Sequence, residues 1–437
     1  RTSSFAYKGR TGDIATIGRE LGVGHVLEGS VRKAGNEVRI TVQLIDTSTG
    51  FHVWSETYDG ELADVFALQD EIAQRVADAL QVTLGIGRAE FRAGGTENSA
   101  AYEHYLLARS LQRSPRPGQW PQVRAELEQA LALDPEFGLA QVALAQLLSG
   151  LASNLPEGGE LADERDRAID RAIVIAPDLP ETYRLRAGRY ERQHDWTAAE
   201  RAIEEMWARS SPNDYYANVA YAAFLRGMGF ARESLPYSER ARLLDPLMAS
   251  PYVNLGSAYD ALGDYERAVA TYDDMRANVA SLVGNDVRWH VLRVIAHGDL
   301  AAARNVIEEN CSALADAGPA CPADEGSFRV LLGDADRARA ELRAGYARTP
   351  ADNALALAVT GLFAARFDVD LATEAFGRAL LLEPAWLQFT WAPIMEPVRR
   401  HPGFKEVLNE MKLVEYWRGS RWPERCRPLG DRDFECF

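Results

Sequence analysis

"SPYVNLGSAYDALGDYERAVATYDDM", residues 250–275, reads as two helices joined by a tight turn. Leu255, Gly256 and Tyr259 pack within the first helix, where residues three and four apart share a face. Gly263-Asp264 supplies the turn, and Ala268 and Tyr272 then bring the second helix close. The small residues Gly256 and Ala268 let two backbones approach, and the large ones fill the gaps they leave.

This hairpin recurs. Helix-ending prolines stand at Pro135, Pro177, Pro212, Pro246, Pro350 and Pro384. The step is 34 from Pro212 to Pro246 and from Pro350 to Pro384, 35 from Pro177 to Pro212, and 42 from Pro135 to Pro177. The 104 residues from Pro246 to Pro350 are close to three units. A period of 34 is the tetratricopeptide spacing. "HDWTAAERAI" (194–203), "GDLAAARNVI" (298–307), "GDADRARAEL" (333–342) and "LATEAFGRALLLEP" (371–384) keep the turn or the second-helix pattern. The eight extra residues before Pro177 are placed in "NLPEGGEL" (154–161) as a loop insertion. Residues 96–385 are thus expected to hold seven or eight antiparallel helical pairs in a right-handed superhelix, an α-solenoid whose first helices line a concave groove.

Groove-facing slots of those first helices fall on Glu181, Arg184, Arg192, Tyr216, Val219, Arg226, Val253, Ser257 and Asp260. The Lys and Asn of the carboxylate clamp familiar in this repeat family are not reproduced. Arg184, Arg192, Tyr216 and Arg226, with Asp260 alongside, form the candidate partner groove for an acidic or aromatic peptide, because the guanidinium fork pairs well with carboxylates. A solvated charged face is the alternative. After Pro384 nine aromatic residues crowd the segment 386–437. "PGFKEVLNEMKL" (402–413) reads as an amphipathic helix begun by Pro402, with an ordered tail across it, so this segment is expected to cap the last repeat. An exposed docking patch is the competing reading. The ending "EYWRGSRWPERCRPLGDRDFEC" also looks like tails associated with this repeat family.

The first hundred residues follow another code. Val38, Ile40, Val42 and Leu44 alternate with Arg39, Thr41 and Gln43, the period-two pattern of a half-buried strand. Strands are expected at 25–32, 37–46 and 51–58, with Gly35 and Asn36 turning the first pair. Asp13 caps a short helix carrying Ile14, Ile17 and Leu21, and a second helix runs over 64–84 with Val65, Leu68, Ile72, Val76 and Leu80 as its stripe. Together they make a small α/β layer with an antiparallel three-stranded meander, residues 1–95 including a linker at 85–95. The continuous stretch from Thr2 to about Leu84, above all "IGRELGVGHVLEGSVRKAGNEVRITVQLIDTSTGFHVWSETYDGELADVFALQDEIA", resembles the TolB-like (FlgO-like) amino-terminal domain of bacterial multidomain proteins. The family's opening strand and helix are absent, so a truncated domain is expected. The resemblance implies a place between an output module, a winged-helix DNA-binding or class III adenylate/guanylate cyclase domain, and helical repeats.

The composition sets limits. The chain has 437 residues and a formal net charge of −16, which disfavours docking of this region on nucleic-acid phosphates or anionic lipid. The longest apolar run, 138–152, is interrupted by Gln141 and Gln146 and is short of a membrane span. Cys311, Cys321, Cys426 and Cys436 lack zinc spacing and are read as unpaired thiols, with a Cys426–Cys436 bridge as the alternative. His290 and His297 share a helical face without the H-E-x-x-H pattern. "GIGRAEFRAGG" (85–95) matches neither a P-loop nor a dinucleotide turn, and no G-x-S-x-G occurs. No catalytic residue, cofactor or metal site is nominated. The expectation is therefore a non-catalytic protein-interaction and regulatory region of a bacterial signalling protein, binding a protein or peptide, with the cytoplasm favoured over the periplasm. Two alternatives stand beside it: the carboxy-terminal part of an adenylate/guanylate cyclase, and an envelope-associated assembly protein.

Overall fold

The computed structural model describes residues 13–61, 95–113, 119–154, 158–279 and 335–437, with Tyr7, Glu71, Ile72 and Arg75 as isolated positions. Most of the helix expected at 64–84, most of the linker, the copy at 298–307, both histidines of the 290/297 pair and the cysteines at 311 and 321 lie outside the described residues. Two compact units emerge: Arg1–Ser114 with Ala125–Ala140, and Pro115–Arg124 with Gln141–Phe437.

The first unit opens with α1 (Ile14–Leu21), begun by Asp13, whose carboxylate accepts from Ala15 N at 3.3 Å, and ended by Gly22 in the left-handed region at φ 64°. Then come β1 (His25–Ala34), β2 (Glu37–Asp46) and β3 (His52–Glu61), all antiparallel in the order β1-β2-β3. Glu28 faces Gln43, and Thr41 faces Thr57. The alternation read from the sequence is the face division: Val38, Val42 and Leu44 are buried, and Ile72 packs against Val42 and Tyr58. At the β2–β3 turn the Asp46 carboxylate gathers the Ser48 hydroxyl at 2.6 Å and the amides of Thr49 at 2.9 Å and Ser48 at 2.8 Å. These bonds hold its carboxyl down at about 2. Downstream, α2 (Ser99–Arg113) begins at Asn98, and Tyr105 meets Phe137 edge-on at 5.1 Å.

The helices from α3 (Trp120–Leu133) onward alternate in pairs. α4 (Gly138–Asn154) pairs with α5 (Gly158–Ile175), α6 (Pro180–Arg192) with α7 (Trp196–Arg209), and α8 (Tyr215–Gly227) with α9 (Ala231–Leu244). α10 (Ala249–Leu262) pairs with α11 (Tyr265–Asn278). After α12 (Ala335–Tyr346), α13 (Ala354–Ala364) pairs with α14 (Val369–Leu382). The fold is mainly α, with consecutive helical hairpins of the tetratricopeptide kind preceded by a three-stranded antiparallel sheet.

The recurring turn has a direct physical cause. Asp195, Asp264 and Asp368 each begin the second helix of a pair and accept a backbone N–H three residues on, at 3.0, 3.2 and 3.2 Å. The residue before the first two must take positive φ: Gly263 does so at 78°, and His194 at 55°, a position glycine fills without steric cost. Packing follows the small-against-large pattern. A Cβ on Gly256 would lie 2.2 Å from Cζ of Tyr272, and one on Gly361 2.7 Å from the backbone N of Phe376.

One expectation needs correcting. The eight extra residues before Pro177 do not form a loop of that length: α4 has 17 residues and α5 has 18, against 13 or 14 in α6 to α11, so most of the surplus is helical. Leucine and alanine in α4 favour helix strongly enough to extend it.

The carboxy-terminal segment continues through two 3-10 turns (Pro384–Phe389, Pro393–Met395), α15 (Glu396–Arg400), α16 (Pro402–Glu410) and α17 (Leu413–Gly419). It ends in a hairpin of β4 (Cys426–Leu429) and β5 (Asp433–Cys436). Its aromatics are buried: Trp386, Phe389, Trp391, Phe404, Tyr416, Trp417 and Phe434 are each at most 6% exposed. This is the cap reading rather than an exposed patch, but the cap reaches beyond the last repeat. Its residues join one core with Tyr183, Trp196, Phe224, Phe230 and Ala258 of α6 to α10. The cysteines at 426 and 436 are bonded, correcting the thiol expectation, because the β4–β5 register sets them opposite each other with Cα atoms 4.0 Å apart.

Candidate functional site

The returning tail determines which part of the repeat surface stays open. Indole N–H groups of Trp391, Trp417 and Trp196 donate to the carbonyls of Gly227 at 2.9 Å, Met228 at 3.2 Å and Met411 at 2.6 Å. At α9 the turn is Gly229-Phe230, with Gly229 at φ 85° and no capping side chain on Phe230. The missing carboxylate arrives from the tail: Glu424 accepts from Ala231 N at 2.9 Å and Arg232 N at 2.8 Å. Replacing Glu424 with alanine is therefore expected to lower the unfolding free energy by about 1–2 kcal/mol in urea titration, with the slope unchanged. Arg421 clamps the same edge, reaching Glu200 at 3.0 Å and Glu233 at 2.8 Å.

Against this frame the five candidate residues separate. Arg226 is 2% exposed and donates to Gln388 Oε1 at 2.6 Å, Gln388 O at 3.3 Å and Asn254 Oδ1 at 3.0 Å. Asp260 is 1% exposed; it accepts from the Tyr272 hydroxyl at 3.2 Å, and its carbonyl accepts from Arg425 at 3.3 Å. Neither presents its charge to a groove, a correction whose cause is the tail lying over the ends of α8 and α10. Arg192 sits in a cluster of α5, α6 and the end of α14, 3.2 Å from Asp166. There Arg165 meets Glu383 at 3.1 Å with both side chains under 10% exposed. Burial first, then the neighbouring Arg165 charge, pushes the Arg192 guanidinium below its ordinary value. The four candidates expected to act together on an acidic segment do not converge.

Arg184 and Tyr216 do come together. They line one cavity of about 290 Å³ between α6 and α8, closed behind by α7 and edged by Gln146 of α4. Its floor is Met206, Ala217, Val219, Ala220 and Ala223; Glu181, Arg184, Ser210, Asp214 and Tyr216 surround the mouth. Tyr216 is 53% exposed, while Arg184 leans on Glu191, Nη1 to Oε1 3.2 Å. Glu181, Arg184, Tyr216 and Val219 were legible as groove slots. The floor alanines and Met206 were not, although Ala217, Ala220 and Ala223 recur at helical spacing and could have signalled a recess. The arrangement offers an apolar recess with a polar rim, which suits a side chain presented by a peptide. Among the described residues no group of three or more His, Cys, Asp or Glu is placed to hold a metal, and no helix is long and apolar enough to cross a membrane.

Known proteins show where likeness lies. The family model described as Tetratricopeptide repeat matches residues 249–274, the α10–α11 hairpin. A protein of Rhizobium meliloti (strain 1021) with the name "Putative adenylate cyclase 3" is 45% identical over 147 residues, 33% of this chain and 25% of that protein. Among solved structures, PilW, a "widely conserved type IV pilus biogenesis factor", is similar over 48% of this chain and 92% of its own at 19% identity and TM-score 0.37. The human IFIT1 dimer with PPP-AAAA is similar over 72% and 78% at 14% identity and TM-score 0.43. Neither of these likenesses carries an argument about function. The chain spans a quarter of the length of the curated relative it matches, and it contains a tetratricopeptide repeat, an element through which proteins bind proteins.

Proposed function

We propose that this chain is the protein-interaction and regulatory region of a bacterial signalling protein, and that its partner enters the α6–α8 cavity. The single observation carrying the reading is that cavity, the place where two candidate groove residues, Arg184 and Tyr216, meet over an apolar floor. The amino-terminal sheet, TolB-like by its sequence, would stand between the repeats and an output module. A cyclase is the favoured output, since the matched relative bears a cyclase name over a region 45% identical. Occupancy would act by a difference in affinity between two states of the chain.

The test is a random-peptide phage selection on the immobilised chain, followed by titration of synthetic copies of the binders. Binding is expected to weaken at least about tenfold, 1.4 kcal/mol, when Ala220→Trp fills the floor or Tyr216→Ala removes the exposed ring. Binders indifferent to both substitutions, or no binders, would overturn the reading. A second reading, an envelope-facing protein, is favoured by one observation: the Cys426–Cys436 bond is of the kind that persists in oxidising compartments.

A further inference from the structure

The joint between the repeats and the returning tail at α7 carries a titratable group in an uncommon setting. His194 in the α6–α7 turn and Lys412 in the α16–α17 turn are the two non-glycine residues with positive φ among the described residues, at 55° and 58°. Such a backbone is unfavourable for a residue with a Cβ and persists only where its surroundings hold it. The two turns meet. Trp196, two residues after His194, donates its indole N–H to the carbonyl of Met411, next to Lys412, at 2.6 Å. The His194 ring stacks on the Trp196 ring at an interplanar angle of 12°, with centroids 6.1 Å apart. Its Nε2 is buried and has no hydrogen-bond partner among the described residues.

A neutral imidazole is tolerated in that position, since one ring nitrogen then carries no proton to donate. Protonation would put a cation and a second N–H where no acceptor stands. Burial first, then the Lys412 charge, hold the His194 imidazolium pKa below its ordinary value, with Glu410 of α16 acting the other way. Neighbouring charges are engaged elsewhere. On α6, Arg192 is held by Asp166 and Glu191 by Arg184; Asp195 accepts from Ala198 N, and Glu200 of α7 from Arg421. The closed junction thus selects the neutral ring, whereas an opened one takes up a proton near the ordinary value of 6.5. Closure is therefore fully favoured above that value, weakens as the pH falls through it, and levels off below the lowered value of the closed form. We propose that His194 makes the junction between tail and array acid-sensitive: the neutral imidazole lets Met411 and Lys412 close on the start of α7, and its protonation loosens the tail at that point. The contacts of Trp391, Trp417 and Glu424 hold the tail elsewhere.

Hydrogen exchange on the full 437-residue chain tests this, each amide rate being divided by its intrinsic rate at that pH. Between about pH 7.5 and 5.5, one proton taken up on opening changes the opening equilibrium at most about tenfold. Amides of α7 and α17 should therefore lose about three- to tenfold in protection over that range, and those of the β1–β3 sheet less than about twofold. His194→Gly, which suits a φ of 55°, should remove the pH difference and keep protection near the wild-type level at the upper pH. His194→Asn, also tolerant of positive φ, serves if the glycine itself loosens the turn. Lys412→Asn should shrink the response, because it removes the charge that opposes the proton. Protection that stays level in the wild-type chain, or an equal loss in the His194 variants, would overturn the proposal. A direct reading comes from carbon-13-labelled histidine: the His194 ring signal, identified by its loss in His194→Gly, should titrate below the ordinary value of 6.5. A midpoint at or above that value would overturn the proposal as well.

Discussion

Removing residues 384–437 is expected to unfold the middle of the array, α6 to α10, rather than merely bare the face of α14. The deleted segment takes with it the buried rings of Trp386, Trp391 and Trp417 and the two backbone bonds by which Glu424 starts α9. A milder form of the test is Trp417→Ala. This ring is 1% exposed, donates to Met228 O at 3.2 Å, and sits 6.1 Å from Trp391 and 6.0 Å from Trp422. Losing it removes a large buried apolar surface, leaves a cavity and strands a carbonyl, so the unfolding free energy should fall by about 3–5 kcal/mol. Hydrogen exchange will report which helices respond. Faster exchange throughout α6 to α10, with α17 itself, agrees with a tail integral to the array. Exchange raised in α14 to α17 alone would mean that the cap protects the last repeat only.

Arg226→Glu is the second large effect. By its slot in the repeat this arginine could be a charge for a partner, and reversing it should then spare stability and harm binding. Its burial reverses that expectation. The guanidinium is held by Gln388 and Asn254 under the tail, and a carboxylate there would face Gln388 O with no cation in exchange. An uncompensated buried charge costs about 3–5 kcal/mol. Thermal unfolding should show the loss, and Arg226→Met, which keeps much of the stem's packing, should recover part of it. A fully stable Arg226→Glu protein would show that the tail leaves this position in water. Arg184→Ala is the contrasting control: its side chain is 38% exposed, and losing the contact with Glu191 at 3.2 Å should cost no more than about 1 kcal/mol.

Which features could be read in advance follows from how far apart the interacting residues lie. The Gly263-Asp264 turn, the seat of Tyr272 over Gly256, and the alternation of β2 each depend on neighbours within one hairpin, and such contacts leave a period in the sequence. The fate of Arg226 depends on Gln388, 162 positions away; that of Met228 on Trp417, 189 away; that of Trp196 on Met411, 215 away. No period links those pairs. The aromatic crowding after Pro384 announced that something would be covered, but not what. The eight extra residues before Pro177 are another case: the 42-residue step showed a surplus but not its place, and the structure puts most of it into α4 and α5.

By itself the sequence determined the repeating hairpin, its 34-residue step, the capping aspartates and the three-stranded meander, because each is a local balance of helix or strand period against turn chemistry. Only the tertiary structure decided that the tail folds back on α6 to α10, that Arg226 and Asp260 are interior, and that Arg184 and Tyr216 share a recess. Those outcomes depend on which distant apolar faces exclude water together, and burial of apolar surface is non-directional, so it leaves no spacing in the chain to read.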